Sequence, residues 1–467
     1  MSQPTEHDTK LQSALRWGGQ WILSSFFRTT EIEGRENLPA NGPTIVVANH
    51  GNSLVDGALL AVHLPRPVRV LAAGSVWGYK PIVPLLNLAG TIPVFRRYET
   101  ANSIRKNAQT FGAAADHLTD GGALVIFPEG VSHNEPGLQP VKSGAARIAL
   151  HSLKHLGEAG NLNIVPVGLV FDAKSRFRSR ALIRIGKPIN VTDHLAGLGS
   201  VRNPAAAVRS LTDAIARSME ETAPSYPSWE EARLIGRAAD IWMQPQSSLP
   251  RKMELAIGTR FRQRLSALLS DAANGSSARA KRLLDTLAAY DLELSRAGLR
   301  DPQVAATFPA CAVARTGLTT ATEMILRFPV ALIGMALNVA PVFVARLMSH
   351  GRDRDKKATW SIFASLFLFP LFWLAQALAL GMMTGGLTGP WLGALAGLGV
   401  LLLSPILGRV ALIFMDQFSR SVHETKGWWR LRTQRNVTDR LRALRSCILR
   451  QIEDLLRNTV HDLPELS

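Results

Sequence analysis

Cysteine is nearly absent from this 467-residue chain: Cys311 and Cys447 are the only two. That excludes a disulfide framework and a cysteine-based metal cluster, and it fits a reducing compartment. Acidic residues are also in short supply, 36 against 53 Lys and Arg, for a net charge of +17. Such a balance points to anionic partners: nucleic acid, phosphorylated metabolites or an anionic membrane surface. Nucleic acid is not expected, because no recognition motif is present and the basic residues are spread rather than grouped with stacking aromatics. The first ten residues are polar, with no compact apolar core after a basic start, so no cleavable signal peptide is expected. One long stretch, Ala358 to Gly408, lacks charge altogether.

That stretch is long enough for two helices of about 20 residues and a turn. Gly385-Gly386-Leu387-Thr388-Gly389-Pro390 supplies the turn, so residues 358–415 are expected to form a transmembrane hairpin with spans near 361–383 and 391–413. Arg352, Arg354, Lys356 and Lys357 precede it, and Arg409, Arg420, Lys426, Arg430 and Arg432 follow. Basic flanks on both sides place both ends in the cytoplasm. Residues 326–348 are apolar but hold Pro329, Asn338 and Pro341. A single crossing there would put the preceding domain on the other face, so a re-entrant or interfacial segment, or a buried core helix, is expected rather than a full span. Residues 416–467 read as a cytoplasmic basic amphipathic tail and 201–325 as a helical region. Residues 1–30 read as an interfacial amphipathic helix, with a helix packed on the following domain as the equal alternative. The whole reads as an integral membrane protein with its main domain on the cytoplasmic face, at the inner membrane if the source is bacterial.

That main domain covers 31–200. Short apolar runs at Thr44–Ala48, Val68–Ala72, Thr91–Phe95, Ala123–Phe127, Ile164–Val170 and Ala181–Ile185 alternate with helical stretches at 53–63, 101–119 and 142–157. The alternation predicts an α/β fold, a mainly parallel sheet flanked by helices, with a site at the strand ends.

Polar chemistry clusters at those ends. Asn49-His50-Gly51-Asn52-Ser53-Leu54-Val55-Asp56 follows the first run and opens a helix. An imidazole beside a carboxylate is the usual way to build a base near neutral pH. Ser53-x-x-Asp56 is also a capping-box pattern, under which Asp56 merely closes the helix start. Ile92-Pro93-Val94-Phe95-Arg96-Arg97 delivers two guanidinium groups suited to phosphate, or a solvated strand end. Phe127-Pro128-Glu129-Gly130-Val131-Ser132-His133 is an ordinary turn or a second cluster, in which Gly130 permits positive φ and close approach of an anion.

Four such stretches in order resemble the glycerophospholipid acyltransferases of the PlsC type. His50 and Asp56 are separated by five residues, Gly51 to Val55, where most of that family has four. The five-residue spacing, Ile92-Pro93-Val94-x-Arg96, Phe127-Pro128-Glu129-Gly130-x-Ser132-His133 and Lys142-Ser143-Gly144-Ala145-Ala146-Arg147 are similar to the yeast-type glycerol-3-phosphate/dihydroxyacetone-phosphate branch. Weaker likeness continues from Tyr290 to Val304 and near Asn338 and Pro341. The resemblance implies direct acyl transfer from acyl-CoA or acyl carrier protein to glycerol-3-phosphate, or alternatively to lysophosphatidate, with no metal or other cofactor. It implies His50 as base and Asp56 as its partner, with Arg96, Glu129 and Gly130 at the acceptor. Arg97, Ser132, His133, Lys142 and Arg147 are further substrate-binding candidates. A membrane scaffold that has lost activity is the rival from another class, and intact His50, Asp56, Arg96 and Glu129 speak against it.

Overall fold

Thr44, Ile45, Val46, Val47 and Ala48 are all buried, the pattern of a central strand covered on both faces. Val46 and Ala48 point into one core with Val55, Leu59, Leu60 and Val167. Ile45 and Val47 point into a second core with Leu118, Ala146, Ile148, Leu211 and Ile215. In this computed structural model the described residues are 6–95, 103–157, 161–174, 176–197, 203–244, 254–273, 277–306, 310–351 and 354–457. They fall into two units, Met1–Ser225 with Ser349–Ile362, and Tyr226–Met348 with Phe363–Ser467.

The first unit holds an eight-stranded sheet of β1 (Phe27–Glu33), β2 (Thr44–Ala48), β3 (Arg69–Ala73), β4 (Ile92–Val94), β5 (Ala123–Ile126), β6 (Asn163–Phe171), β7 (Ser179–Ile185) and β8 (Ile189–Asn190). Its order is β1-β7-β6-β2-β5-β3-β4, with β8 pairing onto β6. The β6–β7 and β6–β8 pairs are antiparallel and the others parallel. The α/β, mainly parallel expectation therefore holds. The helices are α1 (Glu6–Phe26), α2 (Leu54–His63), α3 (Val83–Leu88), α4 (Ser103–Thr119), α5 (Gly144–Leu156), α6 (Val191–Ala196) and α7 (Pro204–Thr222).

Two domain boundaries differ from the sequence reading. Of the two readings of the N-terminal helix, packing is the one seen: α1 lies against α2, with Arg16 donating to the Leu64 carbonyl and Gln20 to that of Val62. Leu23, Phe26 and Phe27 are buried, and the Phe27 ring stacks on Phe171 at 5.6 Å. The unit thus begins well before residue 31. It also extends past 200, because Leu211, Ile215 and Met219 of α7 fill the second core.

The second unit contains α8 (Trp229–Met243), α9 (Leu255–Ala273), α10 (Ser277–Ala297), α11 (Asp301–Ala305), α12 (Ala310–Ser349), α13 (Arg354–Thr388), α14 (Pro390–Thr433) and α15 (Arg435–Arg457). The tail α15 is amphipathic as expected, but its apolar face is core: Leu441, Ile448 and Ile452 pack with Leu234, Leu283, Leu287 and Tyr290. Buried Arg445 ties it in, donating to Asp301 Oδ1 at 3.1 Å and to the carbonyls of Ile241 and Gln244. Tyr290 donates to the same carboxylate oxygen at 2.7 Å.

Among the described residues three helices are long and apolar enough to cross a membrane: Gly317–Ser349, Thr359–Thr388 and Pro390–Thr433. The segment 326–348, expected to be re-entrant, interfacial or a buried core helix, lies inside one continuous helix despite Pro329 and Pro341. Its Asn338 is buried where the apolar helices meet, accepting from Trp373 Nε1 at 2.9 Å and reaching the Ser404 carbonyl at 3.4 Å.

Candidate active site

Strands β6, β2 and β5 are neighbours, and β2 runs parallel to both, so their carboxyl ends lie side by side. The turn after β2 carries His50, the loop after β5 carries Glu129, and the loop after β6 carries Lys174. Asn49 anchors the turn to β6: its amide donates to the Leu169 carbonyl and its carbonyl accepts the Leu169 N–H at 2.6 Å.

His50 Nδ1 lies 3.1 Å from Asp56 Oδ2. A carboxylate only accepts, so Nδ1 carries the proton and Nε2 is left as the basic nitrogen. One face of the ring stacks on Phe127, centroids 4.1 Å apart, and the side chain keeps 18% of its exposure. Asp56 is fully buried, and its Oδ2 also accepts the Asn52 N–H at 2.7 Å. Its Oδ1, like Oδ1 of buried Asn52, has no hydrogen-bond partner among the described residues.

The capping-box reading does not describe this turn. The Ser53 side chain makes no cap bond, and the Asp56 carboxylate faces His50 and the Asn52 amide rather than the Ser53 amide. Ser53 instead sits at φ 49°, a strained conformation for a residue with a Cβ, at a cost of about 1–3 kcal/mol. Its N–H is held by Ser132 Oγ at 3.1 Å. The same loop contributes the His133 N–H, which donates to the His50 carbonyl at 3.2 Å.

Glu129 is the hub between the two loops. Its Oε1 accepts the His50 N–H at 2.7 Å, and its Oε2 accepts the Gln139 N–H at 2.9 Å and a bond from His133 Nε2. The carboxylate is buried and supplied with three donors, which fits bracing the His50 peptide better than touching an acceptor. His133 is likewise committed: its Nδ1 accepts the Glu135 N–H at 3.2 Å while Nε2 faces Glu129. Neither nitrogen is left for a substrate proton, so Glu129, Ser132 and His133, expected at the acceptor, stand here as supports for the His50 turn.

Gly130 has φ 73°, as its placement required, and a Cβ there would crowd the Lys142 ammonium at 2.7 Å. Lys142 is exposed beside it, its N–H bonded to the Pro128 carbonyl. Arg147 is exposed on the first turn of α5 with Nε on Ser143 Oγ, and no bond joins it to this cluster. Arg96 and Arg97 lie outside the described residues.

Sequence reasoning missed Asn52, Lys174 and Thr359. Asn52 donates to the Lys174 carbonyl at 3.1 Å. Lys174 Nζ donates to the His133 carbonyl at 3.1 Å and lies 3.6 Å from where a Gly51 Cβ would sit. Thr359, at the root of α13, donates to the Asn52 carbonyl at 3.3 Å. Asn52 sits inside the motif and was within reach. The other two depend on which loops the sheet order brings together, which no local spacing encodes.

A buried carboxylate fixing one histidine nitrogen, at the carboxyl ends of parallel strands, is an arrangement able to act as a general base. Comparison with known proteins gives the class. The family described as Acyltransferase matches residues 29–170. Glycerol-3-phosphate O-acyltransferase 2 of Saccharomyces cerevisiae is 26% identical over 291 residues, covering 59% of this chain and 38% of the yeast protein. Glycerol-3-phosphate O-acyltransferase 1 of the same yeast is 27% identical over 186 residues, 39% of this chain and 23% of that protein. An uncharacterized acyltransferase of Schizosaccharomyces pombe is 26% identical over 469 residues, 77% of this chain and 67% of that protein. The chain thus spans well under half the length of the two Saccharomyces relatives.

Proposed function

We propose that this protein transfers a fatty acyl group from an acyl thioester, carried by coenzyme A or acyl carrier protein, to the sn-1 hydroxyl of glycerol-3-phosphate at a membrane. The observation that carries the reading is the His50–Asp56 pair at 3.1 Å with Nε2 left over. His50 Nε2 takes the hydroxyl proton as the oxygen bonds to the thioester carbonyl carbon. The C–S bond then breaks and the leaving thiolate takes that proton from the His50 imidazolium. Asp56 holds the tautomer and stabilises the imidazolium, while Glu129, Ser132 and His133 keep the turn in place. The acceptor phosphate meets cations, Arg96 by charge-assisted bonds and Lys142 and Lys174 from loops beside the turn, with Arg97 and Arg147 as outer contributors. The chemistry calls on no metal.

The names of the yeast relatives support glycerol-3-phosphate as acceptor, as does the five-residue spacing. Offering purified protein in detergent labelled acyl-CoA with glycerol-3-phosphate, dihydroxyacetone phosphate or lysophosphatidate separates the acceptors. Phosphatidate formed only from lysophosphatidate would move the enzyme to the second acylation. Arg96→Ala is expected to raise the acceptor KM, and an unchanged KM removes Arg96 from the phosphate site.

We also place the domain on the cytoplasmic face, with α13 and α14 crossing the bilayer. The basic flanks support that orientation. Asn338 of α12 meets Trp373 and Ser404 partway along α13 and α14, which supports α12 packing on that pair rather than lying at the interface.

A further inference from the structure

The first unit exposes an apolar segment that takes no part in the chemistry above. Tyr79 is 52% exposed, Leu85 40% and Leu88 44%. Leu85 and Leu88 lie three apart on α3, so they share a face. The segment is a built feature rather than a stray loop. Two short 3-10 turns, Gly74–Gly78 and Lys80–Ile82, lead into α3, and Ile82 is buried beneath them. Trp77 Nε1 reaches across to Asn87 Oδ1 at 3.2 Å. Pro81, Pro84 and Lys80 are exposed among the apolar residues.

What covers this face is indicated by its neighbour. The Tyr79 ring meets Trp360 edge-on, centroids 5.9 Å apart. Trp360 belongs to the root of α13, which is fastened to the same unit by Thr359 on the Asn52 carbonyl and by Ile362 against the β2–α2 core. From Ala358 onward α13 carries no charge. A helix that enters lipid just past Trp360 brings whatever touches Trp360 to the headgroup level. Tyrosine and tryptophan, with an apolar ring and a polar edge, are the residues that favour that level.

We propose that Tyr79–Leu88 is a membrane-docking surface: Tyr79, Leu85 and Leu88 seat in the headgroup–acyl boundary of the leaflet that α13 enters, and Lys80 meets its phosphates. This rests on the reading of α13 as a membrane helix. It also sets the depth of the site, because the Thr359 hydroxyl, where the apolar stretch of α13 begins, bonds the peptide carbonyl of Asn52, two residues from His50. The acyl chain then passes between donor and product at the bilayer surface, without crossing water.

The test uses the full chain with Cys311 and Cys447 replaced by serine, reconstituted in phosphatidylethanolamine–phosphatidylglycerol vesicles. Single cysteines at Leu85, Leu88, Arg209 on α7 and Leu398 on α14 carry an environment-sensitive fluorophore. Nitroxide-labelled lipids quench it at shallow or deep positions. We expect shallow-label quenching at Leu85 and Leu88 at least threefold above that at Arg209, with deep-label quenching at Leu398. If Leu398 is quenched while Leu85 and Leu88 match Arg209, the docking surface is wrong and the membrane helices stand. If Leu398 is not quenched, both fall.

Discussion

At the residue scale the site divides into one side chain free to act and several that are committed. His50 keeps a nitrogen, whereas Glu129 and His133 spend their polar atoms on each other and on backbone. Glu129→Ala is therefore expected to lower kcat by about tenfold or more, ~1.4 kcal/mol of barrier per factor of ten, with the acceptor KM changed far less. Steady-state kinetics with both substrates varied tests this; a rise in KM at constant kcat would return Glu129 to the acceptor site. Two other histidines bear on stability. Burial holds the His63 imidazole below its ordinary 6.5; Arg16 and Arg35 push the same way and its bond to the Leu59 carbonyl opposes them. His117 is lowered likewise, first by burial, then by Arg69 and Arg66 against Asp120 and the Ala123 carbonyl. Below about pH 6.5 the unfolded chain takes up protons there that the folded chain refuses, so stability is full above that pH and falls as pH drops. The unfolding midpoint should fall from pH 7.5 to 5.5, and His63→Gln should flatten the fall; an identical slope would dismiss His63 as a contributor. His50 and Asp56 were legible because both sit in one eight-residue stretch. The commitment of Glu129 was not, since its partners come from two separate loops.

At the element scale, helices and most strands were legible from their apolar runs, and the β1 edge of the sheet was not. Strand β1 was missed because Arg28, Glu31 and Glu33 break its apolar pattern, and its place is fixed by pairing with distant β7. Helix α12 runs unbroken through Pro329 and Pro341. A helix whose neighbours accept and donate around Asn338 tolerates them, because partners for the freed backbone groups are at hand. Between α13 and α14 the contact is made of glycine: a Cβ on Gly393 would overlap the Gly381 carbonyl oxygen and Gly385, and one on Gly397 would press on the Ala377 carbonyl at 2.8 Å. Small residues four apart on facing helices let backbones approach in lipid. Gly393→Leu should force the pair apart and lower the unfolding midpoint in detergent by several degrees, with kcat per folded molecule little changed. An unaltered midpoint would mean the glycines carry no packing role.

At the scale of the whole molecule, a site built at the ends of three parallel strands is tied through Asn52 to the root of an apolar helix. The domain's limits were the least legible feature, because unit 1 collects Ser349–Ile362 from beyond the helical region. Sequence distance hides that return, and only packing reveals it. The arrangement suits a reaction joining a water-soluble phosphate to a chain that belongs in lipid. Its central claim is that His50, held by Asp56, is the base for acyl transfer to a glycerophosphate hydroxyl. The most direct measurement is turnover of labelled acyl-CoA with glycerol-3-phosphate by the purified full chain, beside His50→Ala at matched folding. The account predicts lysophosphatidate as product and a loss of about 10²–10⁴-fold in the variant. Activity within a few-fold of the parent in His50→Ala, or no transfer to any glycerophosphate acceptor, would contradict it.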